Sequence, residues 1–142
     1  MTGFAAHPVD TAHGVPNASA MATIAAVLVL VVAAIHVYIV VLEMFLWRTP
    51  RGLRSFGTTQ AFADESAALA ANQGLYNGFL VAGLAWGLLA ADPVGFQVKV
   101  FFLACVIVAG VYGAATVNRR ILVVQAAPAA LALVAVLVAA NT

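Results

Sequence analysis

The sequence predicts an all-α, polytopic membrane protein with four transmembrane helices in an antiparallel bundle. Three observations carry that prediction. Of the 142 residues, 65% are hydrophobic and 8% charged, with a mean hydropathy of +1.08. That is too little charge to cover a soluble domain of this size. The apolar residues come in stretches of about 20, the length that crosses roughly 30 Å of hydrocarbon. Polar breaks separate the stretches at 48–62, at Asp92-Pro93 and at Asn118-Arg119-Arg120.

Residues 1–20 contain no Lys or Arg, so they lack the basic start of a signal peptide. Pro8, Gly14, Pro16 and Asn17 predict a flexible extracytoplasmic arm. His7, Asp10 and His13 stand three apart in it. Pro8 and Gly14 oppose the helix that would align them on a metal, so a solvated arm is expected and no metal site.

The transmembrane domain is expected over 21–142, with spans at about 21–47, 62–90, 94–116 and 120–140. Thr58 or Thr59 suits the N-cap of the second helix. Asp92-Pro93 suits the short turn before the third. Thr49-Pro50-Arg51-Gly52 interrupts the chain after the first, and Leu53, Phe56 and Phe62 predict a loop lying against the membrane surface. Pro128 removes the donor for the Val124 carbonyl and predicts a kink in the fourth helix.

Basic residues set the direction. Arg48, Arg51 and Arg54 lie in the first loop, and Arg119 and Arg120 in the third. Lys99 alone lies near the other side. The positive-inside rule then places both loops in the cytoplasm and both termini outside. A cytoplasmic membrane, crossed several times in one orientation, is the expected location.

Composition also excludes some classes. A net charge of +1 says nothing about nucleic acid, and no nucleic-acid partner is expected. The single cysteine, Cys105, excludes an internal disulfide and a cysteine-based zinc site. No phosphate-binding loop, dinucleotide fingerprint or His-Glu-x-x-His helix is present, so no cofactor is expected.

Glu43 is the residue that demands a reason. An ionisable group within a span costs about 2.5–3.5 kcal/mol on insertion scales and is functional by default. At about 100° per residue, His36, Glu43 and Trp47 fall within about 40° of one another, and Tyr38 points away. Asn72, Gln73, Tyr76 and Asn77 cover an arc of about 140° on the second helix. Tyr112 on the third helix and Gln125 on the fourth fall in the same half of the membrane. With 1.5 Å rise per residue, Glu43 lies about 6 Å inside its helix end. Asn72 and Gln73 should then be level with Glu43, and Asn77 with His36. These residues predict a polar pocket in the cytoplasmic half. Each also has a plainer reading: helix-to-helix hydrogen bonds for the amides and His36, an interface anchor for Trp47. Gly74/Gly78 and Gly83/Gly87 are small-xxx-small pairs suited to close packing within the bundle or in a homo-oligomer.

Three strings carry a resemblance: Glu43-Met44-Phe45-Leu46-Trp47, Thr49-Pro50-Arg51-Gly52, and Ala71-Asn72-Gln73-Gly74-Leu75-Tyr76-Asn77-Gly78. With them the chain resembles the bacterial domain of unknown function 1304 family over about Ala25 to Ala140. The resemblance implies a small four-helix integral membrane protein and no particular activity.

Three functions fit these residues. The first is binding of a small molecule or lipid in the polar pocket. There Glu43 and His36 serve as a proton-transfer pair, and Asn72, Gln73, Tyr76, Asn77, Trp47, Tyr112 and Gln125 contact the ligand. The second is proton-coupled transport through Glu43, by analogy with small four-helix exporters. The third is a non-catalytic subunit or assembly factor whose glycine faces meet partner helices.

Overall fold

The computed structural model describes residues 17–142. The motif of His7, Asp10 and His13 lies outside the described residues. Among those described, every regular element is helical. The elements are α1 (Ala18–Met44), α2 (Pro50–Phe56), α3 (Gln60–Glu65), α4 (Ala67–Leu89), α5 (Val94–Thr116), a π-helical turn (Leu122–Ala126) and α6 (Ala127–Ala139).

Helix α1 starts three residues before the expected position and stops three before the expected end. Asn17 explains the start: its side chain accepts a hydrogen bond from the Ser19 N–H at 3.1 Å, satisfying a donor with no partner inside the helix. At the other end the N–H groups of Phe45 and Leu46 both reach the Val41 carbonyl. That wide closing turn removes Trp47 from the helix.

The segment expected as a surface loop is mostly helical. Thr49 caps α2, accepting from the Gly52 N–H at 3.3 Å while donating to the Leu46 carbonyl at 2.7 Å. Pro50 takes the first helical position, where its fixed φ suits the helix and no N–H is needed. Gly52 is buried directly beneath the Leu46 and Trp47 carbonyls, which a β-carbon would strike. Gly57 ends α2 with φ 64°, a left-handed conformation that favours glycine.

Thr59 caps α3 through the Phe62 N–H at 3.3 Å. The second long helix does not run unbroken from 62. Ser66 interrupts it: its hydroxyl donates to the Phe62 carbonyl at 2.6 Å and accepts from the Trp47 indole N–H at 3.1 Å. A serine bonded to the preceding turn competes with regular helix geometry. The tie to Trp47 pins that irregularity against the end of α1.

Helix α5 occupies the expected 94–116, with Asp92 accepting from the Phe96 N–H at 2.8 Å at its start. Pro128 has a consequence one turn upstream. The backbone opens into the π-helical turn at 122–126, in which the Ala127 N–H reaches the Leu122 carbonyl. Wider turns of this kind re-pair carbonyls near an interruption of the regular ladder.

The four long helices form a ring. α1 packs on α4 and α6, and α5 packs on the same two, leaving α1 and α5 diagonal. Val29, Val32, Leu84, Leu103, Val106, Ala129, Ala132 and Val136 meet in the buried centre. Alanines at three-residue spacing let α6 approach closely, and Gly110 lies against the Ala126 backbone. Among the described residues, three helical stretches are long and apolar enough to cross a membrane: 18–44, 94–116 and 122–139. α4 has a comparable length of 23 residues but is not among them, because Asn72, Gln73, Tyr76 and Asn77 dilute its apolar character.

Candidate functional site

Glu43 is half-buried, one residue before the end of α1. Its Oε2 accepts a hydrogen bond from Asn77 Nδ2 of α4 at 2.8 Å. The same amide nitrogen donates to the Gln73 carbonyl at 3.1 Å. Both amide hydrogens are therefore assigned, one holding Asn77 to its own helix and one aimed at Glu43.

The partner differs from the expected one. Asn72 and Gln73 were expected opposite Glu43, and both are exposed. The reason is Gly74. It is the buried contact point of α4, where a β-carbon would meet the Met44 side chain and stand 3.2 Å from the Glu43 Cβ. Close helix approach occurs at the smallest residue. At about 100° per residue, Asn72 lies nearly opposite Gly74 and Gln73 lies at right angles to it. Asn77, three residues on, stays near the contact face. Tyr76 is 53% exposed.

His36 is the one buried polar side chain in the core of the described residues, 1% exposed. Its Nδ1 lies 2.9 Å from the Val32 carbonyl. A carbonyl only accepts, so Nδ1 carries the hydrogen. Seven residues separate His36 from Glu43, about 10 Å along the helix. Each is bonded elsewhere, so the expected proton-transfer pair is not assembled.

A cleft of about 350 Å³ opens beside Glu43, lined by Met44, Phe45, Trp47, Arg48, Thr49 and Ala67. Trp47 reaches it from outside the helix. Its ring lies 4.7 Å from Phe56 and its N–H is held by Ser66, so it walls the cleft instead of extending the α1 stripe. Tyr112 is 71% exposed, and Gln125 is half-buried within the π-helical turn. Neither lines the cleft. Arg48 and Thr49 do, and sequence reasoning missed them. The signal available was Thr49-Pro50, a cap followed by a first-turn proline, which restarts a helix and folds 45–49 across the end of α1.

The glycine pairs divide. Gly83 lies under the Phe102 ring and Gly87 against Lys99, so α5 covers both. Gly74 is covered by α1, whereas a β-carbon on Gly78 would meet nothing within 4 Å.

The site and fold belong to a class of small helical proteins built from apolar helices, with one carboxylate held between two of them. A family model described as protein of unknown function (DUF1304) matches residues 30–137, and the chain belongs to that family. It is similar to the uncharacterized protein YpaA of Lactococcus lactis subsp. lactis, 29% identical over 116 residues. The match spans 80% of this chain and 97% of that one. No solved structure matches.

Proposed function

We propose that this chain is a multi-pass protein of the bacterial inner membrane, with α1, α4, α5 and α6 crossing antiparallel and both termini outside. We further propose that the cleft at Glu43 binds a small molecule or lipid from the cytoplasmic side. The observation that carries this reading is Glu43 itself. Its carboxylate is held at one oxygen by Asn77, on the wall of an open cleft that Arg48 and Trp47 also line. A carboxylate, a guanidinium and an indole suit a ligand with a hydrogen-bond donor at one end and an acidic or polar group at the other. The α4 span rests on its length and on its position in the ring between α1 and α5. Its polar residues sit in the half nearest the cleft.

Untargeted mass spectrometry of molecules released from the purified protein tests this function. A compound retained by wild type and lost from Glu43→Gln is the expected result. Identical retained compounds in both would overturn the reading. Proton-coupled transport is the second reading, favoured by the same carboxylate in an apolar helix. It requires proton-dependent flux in proteoliposomes that Glu43→Gln abolishes.

A further inference from the structure

The segment between α1 and α4 is longer than its task. The two helices pack against each other, and such neighbours need only two to eight connecting residues. Here residues 45–66 intervene, with α2 and α3 inside them. The excursion carries Arg48, Arg51 and Arg54, all exposed. It also carries Phe45 and Phe62, which are 72% and 55% exposed, and Phe56. Exposed aromatics interleaved with arginines suit a membrane interface.

One of the arginines is held in a fixed position. Arg51 Nε donates to the Tyr38 hydroxyl at 3.2 Å, and the guanidinium carbon stands 5.4 Å from the Tyr38 ring centre. Tyr38 is on the outer wall of α1, 43% exposed, and six residues before the helix end, about 9 Å along the axis. Arg51 is therefore turned along the wall of the bundle. Among the described residues, its terminal nitrogens have no hydrogen-bond acceptor and no acidic side chain is paired with it. In a bilayer, a guanidinium on that wall is stabilised by an anion. Its two terminal NH2 groups form the fork that takes two phosphate oxygens. In a bilayer the anion available at that depth is the phosphate of a lipid.

We infer that Arg51, fixed by Tyr38 and with Arg54 one turn further along α2, is a binding site for the headgroup of an anionic phospholipid. The site faces lipid on the outside of α1 and is distinct from the Glu43 cleft. It rests on the chain being embedded in a bilayer, and not on any ligand at Glu43. Tyr38 is a positioning residue: it spends the Nε donor and leaves the terminal fork free.

The test places purified protein in nanodiscs of phosphatidylcholine with phosphatidylglycerol, and reads retained lipid by native mass spectrometry after release into detergent. Wild type should retain phosphatidylglycerol preferentially. Arg51→Gln should lose that preference roughly fivefold, the factor for removing one basic group facing an anionic surface. Tyr38→Phe should lose a smaller part, since the charge stays and only its positioning hydrogen bond goes. Arg119→Gln, in the other basic loop, should match wild type, and circular dichroism should confirm that each variant keeps its helices. Equal retention of both lipids by wild type, or unchanged preference in Arg51→Gln, overturns the inference. Displacement of the lipid by millimolar inorganic phosphate also overturns it, because the site would then read a free anion. A protein that fails to enter nanodiscs overturns the membrane reading instead.

Discussion

Asn77 holds Glu43 through a single hydrogen bond between helices, and this makes the two residues separable by experiment. Glu43→Gln keeps an oxygen that accepts from Asn77, so stability should change by less than about 1 kcal/mol while ligand retention is lost. Asn77→Ala leaves the half-buried carboxylate without its donor and should cost about 1–3 kcal/mol. A thermal-unfolding cycle with Glu43→Ala and Asn77→Ala, each of which removes the bond, should give a coupling near 0.6 and below about 1.7 kcal/mol, the range for such bonds in membranes. A coupling of zero would remove Asn77 from the site.

His36 behaves differently because its bond is to a carbonyl of its own helix. His36→Leu removes both the ring and its donor, and the Val32 carbonyl keeps its place in the helix ladder. The substitution should cost less than about 1.5 kcal/mol. His36→Ala empties a fully packed position and should cost about 2–5 kcal/mol by analogy with other large-to-small core changes. If His36→Leu instead abolishes ligand retention with the melting temperature intact, His36 has a chemical role that its packing does not reveal.

At the scale of elements, the glycines of α4 define three surfaces. Gly83→Ala must displace the Phe102 ring and Gly74→Ala must displace Met44. Both should destabilise, typically by 1–3 kcal/mol for overpacking. Gly78 faces open space, so Gly78→Ala should stabilise a monomer by about 0.5–1 kcal/mol through helix propensity alone. Destabilisation there, with a shift in oligomeric state on size-exclusion chromatography with light scattering, would reveal a second helix seated on that face. The π-helical turn is a comparable case. Pro128 predicts an interruption, and the backbone answers with a wider turn at 122–126, where Gly110 and Ala126 permit close contact between α5 and that turn.

For the whole molecule, orientation is the property with the most direct test. In a Cys105→Ala background, an impermeant maleimide should label Asp92→Cys in intact cells. It should label Arg119→Cys only after permeabilisation. The reverse pattern would invert the protein and move the Glu43 cleft to the outer side. Labelling of both in intact cells would remove α5 as a span.

The helical class, the breaks at Asp92-Pro93 and at Asn118-Arg119-Arg120, and the anomaly of Glu43 were all legible from composition, hydropathy and punctuation. Those signals are local: stretch length, proline, glycine and charge each act within a few residues of themselves. The choice of Asn77 over Asn72 and Gln73 was not legible. It depends on which face of α4 meets α1, and that follows from the depth to which Gly74 lets the backbones approach. Trp47 also moved, because a capped helix beginning at Pro50 required α1 to end at Met44. The sequence by itself determined that a carboxylate would stand in an apolar helix. Only the packing of α4 on α1 decided what holds it, since a partner 34 residues away is set by contact between helices and not by the periodicity of either one.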